Sequence, residues 1–436
     1  MAEPREKRPF LSTSLLTLIG RAGGMVLPIV IGYFYGAGSE ADAFFFAYAV
    51  ILTLVGLFMP VFEAMLVPIL AEYRSEPEKV ASLSNGLLIL SLPFVAAVFI
   101  LVGVLLGPIL QKGSGFGTES ISLVTGLFWE MAPLYLFGIT VAASNSVFYT
   151  HRLFWFPALS PVFRAACVIG SIFFGHVTGG VHAIVWGLSL GEFVRWILGL
   201  GVLFKQSLWR WFVGWKEIRE KARGFFKQAA YQSVAFLALH LVFLTDQWFA
   251  AWLGEGKLSL ISYANRLFQI PHQLALAGFL QIFLTSWSHK YHDGSKKEFR
   301  LRVVKDIRIV CLVTLLISLV LFLLRGPIVR TLYGFGGLSG SDLEMVSSLF
   351  GWLMFGFTPI VVNLLFVRVL FVLQKSVVFC VQAWMQFFLN IVLNWLLVSI
   401  YGLQGIAIAT TAVSILMTLG LLGYLKFHWK SSELEN

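Results

Sequence analysis

Charge is what this sequence has least of: Asp, Glu, Lys and Arg supply 12% of its 436 residues, against roughly 25% in a soluble domain. With 58% of the chain hydrophobic, a water-soluble fold is excluded. Cysteine is equally scarce. Cys167, Cys311 and Cys380 stand singly inside apolar runs, far apart and without ligand spacing, so they read as small core residues. No Walker loop, His-Glu-x-x-His, Gly-x-Ser-x-Gly or clustered aspartates occur, so no catalytic residue and no metal ligand set is assigned. Long hydrophilic stretches are missing too. The longest is on the order of twenty residues, short of the 50 or so that an extramembranous domain needs.

What is present is apolar sequence in runs of 18 or more residues, each able to cross a hydrocarbon core of about 30 Å as a helix. The ten-residue alternation of an outer-membrane barrel does not appear, and helices remain as the way to satisfy the backbone in lipid. Gly, Pro and charge punctuation divides the chain into twelve expected spans. Six lie near 10–36, 42–70, 81–110, 121–149, 155–176 and 180–204. Six more lie near 228–253, 258–288, 306–325, 343–371, 376–400 and 402–425. The basic N-terminus lacks a small-residue cleavage site and is read as part of a retained first helix.

The net charge of +10 sits between spans, not on a basic domain, which argues against a nucleic-acid partner. Placing the N-terminus inside gives 23 Lys and Arg on inner segments and four, Lys112, Lys257, Arg325 and Arg330, on outer ones. That asymmetry predicts cytoplasmic N- and C-termini and an even number of crossings.

Two six-helix lobes are expected, 1–205 and 228–436, joined by a linker over 206–227. In the linker, Leu208, Trp211, Phe212, Trp215, Ile218, Ala222 and Phe225 repeat at three- and four-residue steps. Arg210, Lys216, Arg219, Lys221 and Arg223 take the other faces. This is the pattern of a basic amphipathic helix on the cytoplasmic leaflet, with anionic phospholipids as partners. The lobes read as repeats. Phe148 to Arg152 resembles Phe371 to Lys375 at an offset of 223, Gly180 to Ile184 resembles Gly405 to Ala409 at 225, and Gly36 to Gly38 resembles Gly254 to Gly256 at 218. Even crossing numbers relate such repeats by an axis along the membrane normal and predict a central cavity with alternating access.

Ionisable groups at bilayer depth are costly and tend to face a bundle interior or water. The candidates are Arg21, Asp42, Glu63, Glu130, Arg164, Glu192, Arg195, Asp246, Arg266 and Arg368. Glu192 and Arg195, three apart on one helix, are expected to satisfy each other. Asp42 can cap the second helix, and Arg368 can extend to the interface. His240 and His272 read as core histidines. Arg21, beside Gly20, Gly23 and Gly24, and Arg266, before Pro271, occupy early helices of the two halves. They can grip a phosphate or pyrophosphate by forked hydrogen bonds, or pair with Glu63 or Asp246. Arg164 is a weaker candidate for the same role. Asp246 can carry a proton, bind sodium with Thr245 and backbone carbonyls, or partner an arginine. Its surroundings in sequence leave these open.

Gly20-Arg21, Tyr33 to Gly38, Ala41 to Phe45 and Val67 to Tyr73 resemble the opening of the MurJ (MviN) lipid II flippases. The likeness continues through Asp246-Gln247, Ile261 to Leu267, Pro271, Arg368 to Gln374, Asn390 to Asn394 and Tyr401 to Gly405. The resemblance implies the multidrug/oligosaccharidyl-lipid/polysaccharide exporter fold, all-α, with a cavity between two six-helix lobes in the bacterial cytoplasmic membrane. It implies translocation of an undecaprenyl-pyrophosphate-linked glycan driven by Na+, H+ or membrane potential, without a cofactor. By position Arg21, Asp42 and Arg266 match functional charges of the family. The chain departs from the pattern at Leu27-Pro28, at Leu54 to Leu57 and at Asn265, where family members carry charge, and in twelve spans against fourteen. Two alternatives stay open: a flippase for another polyprenyl-linked polysaccharide precursor, and an ion-coupled multidrug exporter, which would favour an acidic, aromatic cavity. An intramembrane polymerase is disfavoured, because the outer segments are short and poor in carboxylates and histidines.

Overall fold

The computed structural model describes residues 20, 26–209, 215–275, 283, 287 and 296–434. Among them every regular element is a helix, as apolar sequence at this density dictates. Helix α1 is Val26–Tyr35, followed by α2 (Ser39–Ala71), α3 (Pro77–Gly113), α4 (Thr118–Glu130) and α5 (Ala132–Thr150). A single-turn α6 (Trp155–Leu159) leads into α7 (Pro161–Gly179), α8 (His182–Lys205) and α9 (Trp215–Trp252). The rest are α10 (Lys257–Ala275), α11 (Lys296–Leu323), α12 (Arg325–Tyr333), α13 (Gly340–Val372), α14 (Ser376–Tyr401) and α15 (Leu403–Leu434).

Among the described residues, ten helical stretches are long and apolar enough to cross a membrane. They match ten of the twelve spans expected from sequence. The other two are represented by α1 and α10, whose continuations at 10–25 and 276–288 lie largely outside the described residues. One span, Thr118–Thr150, is broken at Met131, with Pro133 at the start of α5 where its missing N–H costs nothing.

The chain divides into two units, Met1–His240 and Leu241–Asn436, with the division inside α9. Residues 210–214 of the expected linker lie outside the described residues, and from Trp215 onward the linker is the first part of one 38-residue helix. Part of its apolar face packs on protein, while Trp215 stays exposed. Ile218 and Phe225 are buried in unit 1, with Phe225 edge-on to Phe62 of α2 and Lys221 paired with Glu72. Further along α9 the His240 imidazole fills the space that a side chain on Gly56 would need. Lys216, Arg219, Arg223 and Lys227 remain exposed as one basic stripe.

In unit 1 the tightest pairing is α7 against α8, and glycine makes it so. A Cβ on Gly187 would stand 2.6 Å from the Val168 Cα, and one on Gly191 would stand 2.7 Å from the Arg164 Cα. Small residues four apart let two backbones meet where lipid supplies no hydrophobic drive to associate.

The repeat is visible in backbone conformation. Arg152 and Gln374 both adopt left-handed φ (59° and 57°) after a span, and in each case the next N–H closes back on a carbonyl five residues earlier: Leu153 on Phe148, Lys375 on Leu370. Gly180 and Gly402 share φ values of 49° and 56°. Both pairs are offset by 222, not the 223 and 225 obtained by matching residue types, because a turn is repeated as a conformation more faithfully than as a sequence.

Gly187→Val should lower the thermal unfolding temperature of the detergent-purified protein, since overpacking against backbone costs about 1–3 kcal/mol. Gly201→Ala, on the same helix with open space around it, should leave it unchanged or raised. Tryptophan fluorescence on heating measures both, and equal shifts would refute the close-approach account.

Candidate functional site

Each unit buries a polar cluster, and the two are built on opposite principles. In unit 1, Glu192 of α8 lies between two guanidinium groups. Arg164 Nη1 of α7 donates to its Oε1 at 2.7 Å, and Arg195 Nη1 donates to Oε1 and Oε2 at 2.7 and 2.9 Å. Arg195 Nε also donates to Ser160 Oγ at 3.2 Å. The Glu192–Arg195 pair follows from its spacing of three. Arg164, read from sequence as a phosphate-binding candidate, is here engaged by an internal carboxylate.

The other sequence candidates of unit 1 are placed as follows. Glu63 Oε1 accepts a hydrogen bond from Asn145 Nδ2 at 3.0 Å. Asp42 is buried in the first turn of α2, where an acid favours the helix N-terminus, and its N–H donates to Gly38 O at 2.9 Å. Glu130, at the break between α4 and α5, holds His182 Nδ1 at 2.9 Å from both carboxylate oxygens. Arg21 lies outside the described residues.

In unit 2, Arg266 of α10 donates to Gln269 Oε1 at 3.3 Å, one turn along its own helix. Asp246 of α9 is buried, and its partners are neutral. Asn390 Nδ2 and Asn394 Nδ2 of α14 donate to its Oδ1 at 3.1 and 2.9 Å, and Thr410 Oγ1 of α15 donates to its Oδ2 at 3.1 Å. No basic group pairs with it among the described residues. The Thr245 hydroxyl donates to Leu241 O in its own helix, as the Thr410 hydroxyl can to Ile406 O.

The two asparagines bring a further property. With their N–H groups turned to the carboxylate, Asn390 Oδ1 and Asn394 Oδ1 are buried without a partner. Orphaned buried acceptors are uncommon and costly, by about 1–3 kcal/mol each. Asp246, two amides and the Thr410 hydroxyl gather around one negative charge, with the amide N–H groups on the carboxylate. With the amides turned to present their oxygens, these side chains suit a small hard cation, Na+ foremost. Asn390, Asn394 and Thr410 were not selected as ligands from sequence. The available signal was two asparagines four apart in an otherwise apolar helix.

Comparison with known proteins bears on the whole chain. The family model for the lipid II flippase MurJ matches residues 31–433. This chain belongs to the MurJ lipid II flippase family. It is 25% identical over 363 residues to the "Lipid II flippase MurJ" of Burkholderia cenocepacia, covering 78% of this chain and 68% of that protein. It is 27% identical over 443 residues to the "Probable lipid II flippase MurJ" of Vibrio cholerae serotype O1, covering 94% and 80%. Among solved structures, "Lipid II flippase MurJ, inward closed conformation" superposes with a TM-score of 0.83 at 20% identity, covering 95% of this chain and 87% of that one. A multidrug resistance MATE family transporter of the MOP superfamily, in its inward-facing conformation, gives 0.78 at 13% identity, covering 96% and 98%. At these identities the structural likenesses show the fold alone, an all-α, multi-pass membrane fold. MurJ members are transporters, so the chain is placed among transporters and not among glycan polymerases.

Glu192→Ala should cost about 3–5 kcal/mol by leaving Arg195 buried and unpaired, whereas Arg164→Ala should cost less because Arg164 is a third exposed. Thermal unfolding of both variants checks the ranking, and a larger loss from Arg164→Ala would reverse the assignment of Glu192 as the centre.

Proposed function

We propose that this chain translocates lipid II, a polyprenyl-pyrophosphate-linked glycan, across the bacterial cytoplasmic membrane, and that cation binding at Asp246 drives it. The match to the MurJ family over residues 31–433 carries the cargo. The Asp246 cluster, with its two unpartnered amide oxygens, carries the coupling. Arg266 and Arg21 are assigned to the pyrophosphate, because a guanidinium matches phosphate oxygens by charge-assisted, two-pronged hydrogen bonds. Asp42, Glu63 and Arg164 are assigned to the cargo-facing machinery in a positioning role, since the bonds of Glu63 to Asn145 and of Arg164 to Glu192 hold both in place.

Both termini are assigned to the cytoplasm on the excess of Lys and Arg in alternate loops. That puts the basic stripe of Lys216, Arg219, Arg223 and Lys227 at the cytoplasmic leaflet, where each charge near an anionic surface is worth about 1 kcal/mol. Anionic phospholipids are its proposed partners. Their hold is mainly electrostatic, because Ile218 and Phe225 are already packed in unit 1 and Trp215 is left exposed beside the stripe.

In proteoliposomes containing lipid II, Arg266→Ala should reduce translocation at least tenfold while leaving thermal stability unchanged. Full activity of that variant would sink the cargo assignment. Changing Lys216, Arg219, Arg223 and Lys227 together to Gln should remove any stimulation by anionic phospholipid while preserving activity in neutral lipid. An unchanged lipid dependence would place the recognition elsewhere.

A further inference from the structure

The cluster around Asp246 continues into a longer row of polar side chains in unit 2. On α14 the carboxamides Gln382, Gln386, Asn390 and Asn394 recur every fourth residue. Gln382, Asn390 and Asn394 are buried, while Val377, Val381, Met385, Phe388, Val392 and Trp395 on the remaining faces are exposed. Four residues rise about 6 Å along a helix, so the row runs for roughly 18 Å. On α15, which packs against α14, Thr410, Ser414 and Thr418 recur at the same interval. Thr410 reaches Asp246, and Thr418 donates to the Pro359 carbonyl of α13 at 2.8 Å. Gln382 Nε2 bridges to Asn363 Oδ1 of α13 at 3.0 Å.

Interhelical glue is the first explanation to test against such a row. It fails on two observations. Glue should use both ends of each amide, yet Gln382 Oε1, Asn363 Nδ2, Asn390 Oδ1 and Asn394 Oδ1, with Thr358 Oγ1 beside them in sequence on α13, are all buried and unpartnered. Packing does not demand amides here either. At the 222 offset, unit 1 carries Val168, Ile172 and Leu188 where unit 2 has Asn390, Asn394 and Thr410, and all three are fully buried. The same helix pair closes well with hydrocarbon alone. Several orphaned polar atoms in a row are what a thread of water leaves when only protein atoms are counted.

We propose that the carboxamide row of α14, facing α13 and α15, is a hydrated track along which the coupling cation passes between Asp246 and the end of unit 2 that carries Lys375. The track deepens the cation-site reading and rests on it, and the orientation given above makes that end cytoplasmic. Each amide offers an oxygen to a cation and an N–H to water. The steps are short enough for one ligand to be exchanged before the last is lost. Gln382 is the inner mouth, Gln386 the intermediate station, and Asn390 the first residue of the binding cluster itself.

The test uses the full chain with Cys167, Cys311 and Cys380 replaced by Ser. Single cysteines are introduced as Gln386→Cys on the track, Asn363→Cys opposite it, and Met385→Cys on the exposed apolar face. Inside-out membrane vesicles are then treated with a small, impermeant, cationic methanethiosulfonate. Gln386→Cys and Asn363→Cys should react at least tenfold faster than Met385→Cys from the cytoplasmic side, and no faster than it in right-side-out vesicles. Equal rates for all three, or reaction from the outer side alone, would overturn the track. Binding of 22Na+ separates this result from the reading beneath it. If Asp246→Asn leaves 22Na+ binding intact, the cation site is wrong. If Asp246→Asn abolishes binding while Gln382→Leu/Gln386→Leu slows loading at least tenfold with equilibrium affinity within twofold, site and track both stand. Unchanged loading kinetics in that double variant would leave the site and remove the track.

Discussion

A carboxylate taken out of water must be answered by something, and what answers it determines whether it is structure or machinery. Glu192 is answered by two guanidinium groups and a short chain of hydrogen bonds through Arg195 to Ser160. Its lone pairs are used and its charge is more than matched, so it holds α7 to α8. Asp246 is answered by two amides and a hydroxyl, which solvate the charge without cancelling it. Removing Glu192 from the first cluster leaves guanidinium charge uncompensated in low dielectric. The cation proposed for the second would complete it.

The two units show how one scaffold carries both solutions. Their backbones repeat at 222 residues through the left-handed turns at Arg152 and Gln374 and at Gly180 and Gly402. Helices α7 and α8 of unit 1 correspond to α14 and α15 of unit 2. In unit 1 the charges Arg164 and Glu192 stand where unit 2 has Gln386 and Ser414, and the positions matching the cation cluster are apolar. Function has been written by moving polarity along a shared helix pair, not by changing the pair. The glycine seam at Gly187 and Gly191 is what such a pair can rely on when its polar contacts are few.

Sequence carried the spans, because an 18-residue apolar run has one stable form in a bilayer. It carried Glu192–Arg195, since a spacing of three on a helix fixes proximity. It did not carry Arg164–Glu192, 28 residues apart, or the bonds to Asp246 from Asn390, Asn394 and Thr410, up to 164 residues away. Those contacts are decided by which helices pack, and nothing in local periodicity records that. The residue nearest in sequence, Thr245, gives its hydroxyl hydrogen to a carbonyl four residues back, while Thr410, 164 residues away, reaches the carboxylate. The linker teaches a related point. Its amphipathic pattern was legible, but an apolar stripe does not say whether lipid or Phe62 will cover it.

For the cation site proposed at Asp246, charge balance favours a monovalent ion. One carboxylate among neutral ligands carries a single negative charge, so a monovalent ion leaves the buried site neutral, and a divalent ion leaves an uncompensated positive charge there. Magnesium has the added difficulty that it sheds water reluctantly and demands octahedral geometry, which two asparagines, a threonine and one aspartate on three helices do not supply. A proton satisfies the same charge and supplies a single donor against two orphaned amide oxygens. On the proposed reading Na+ answers the charge and both spare oxygens, and protonation of Asp246 competes with it.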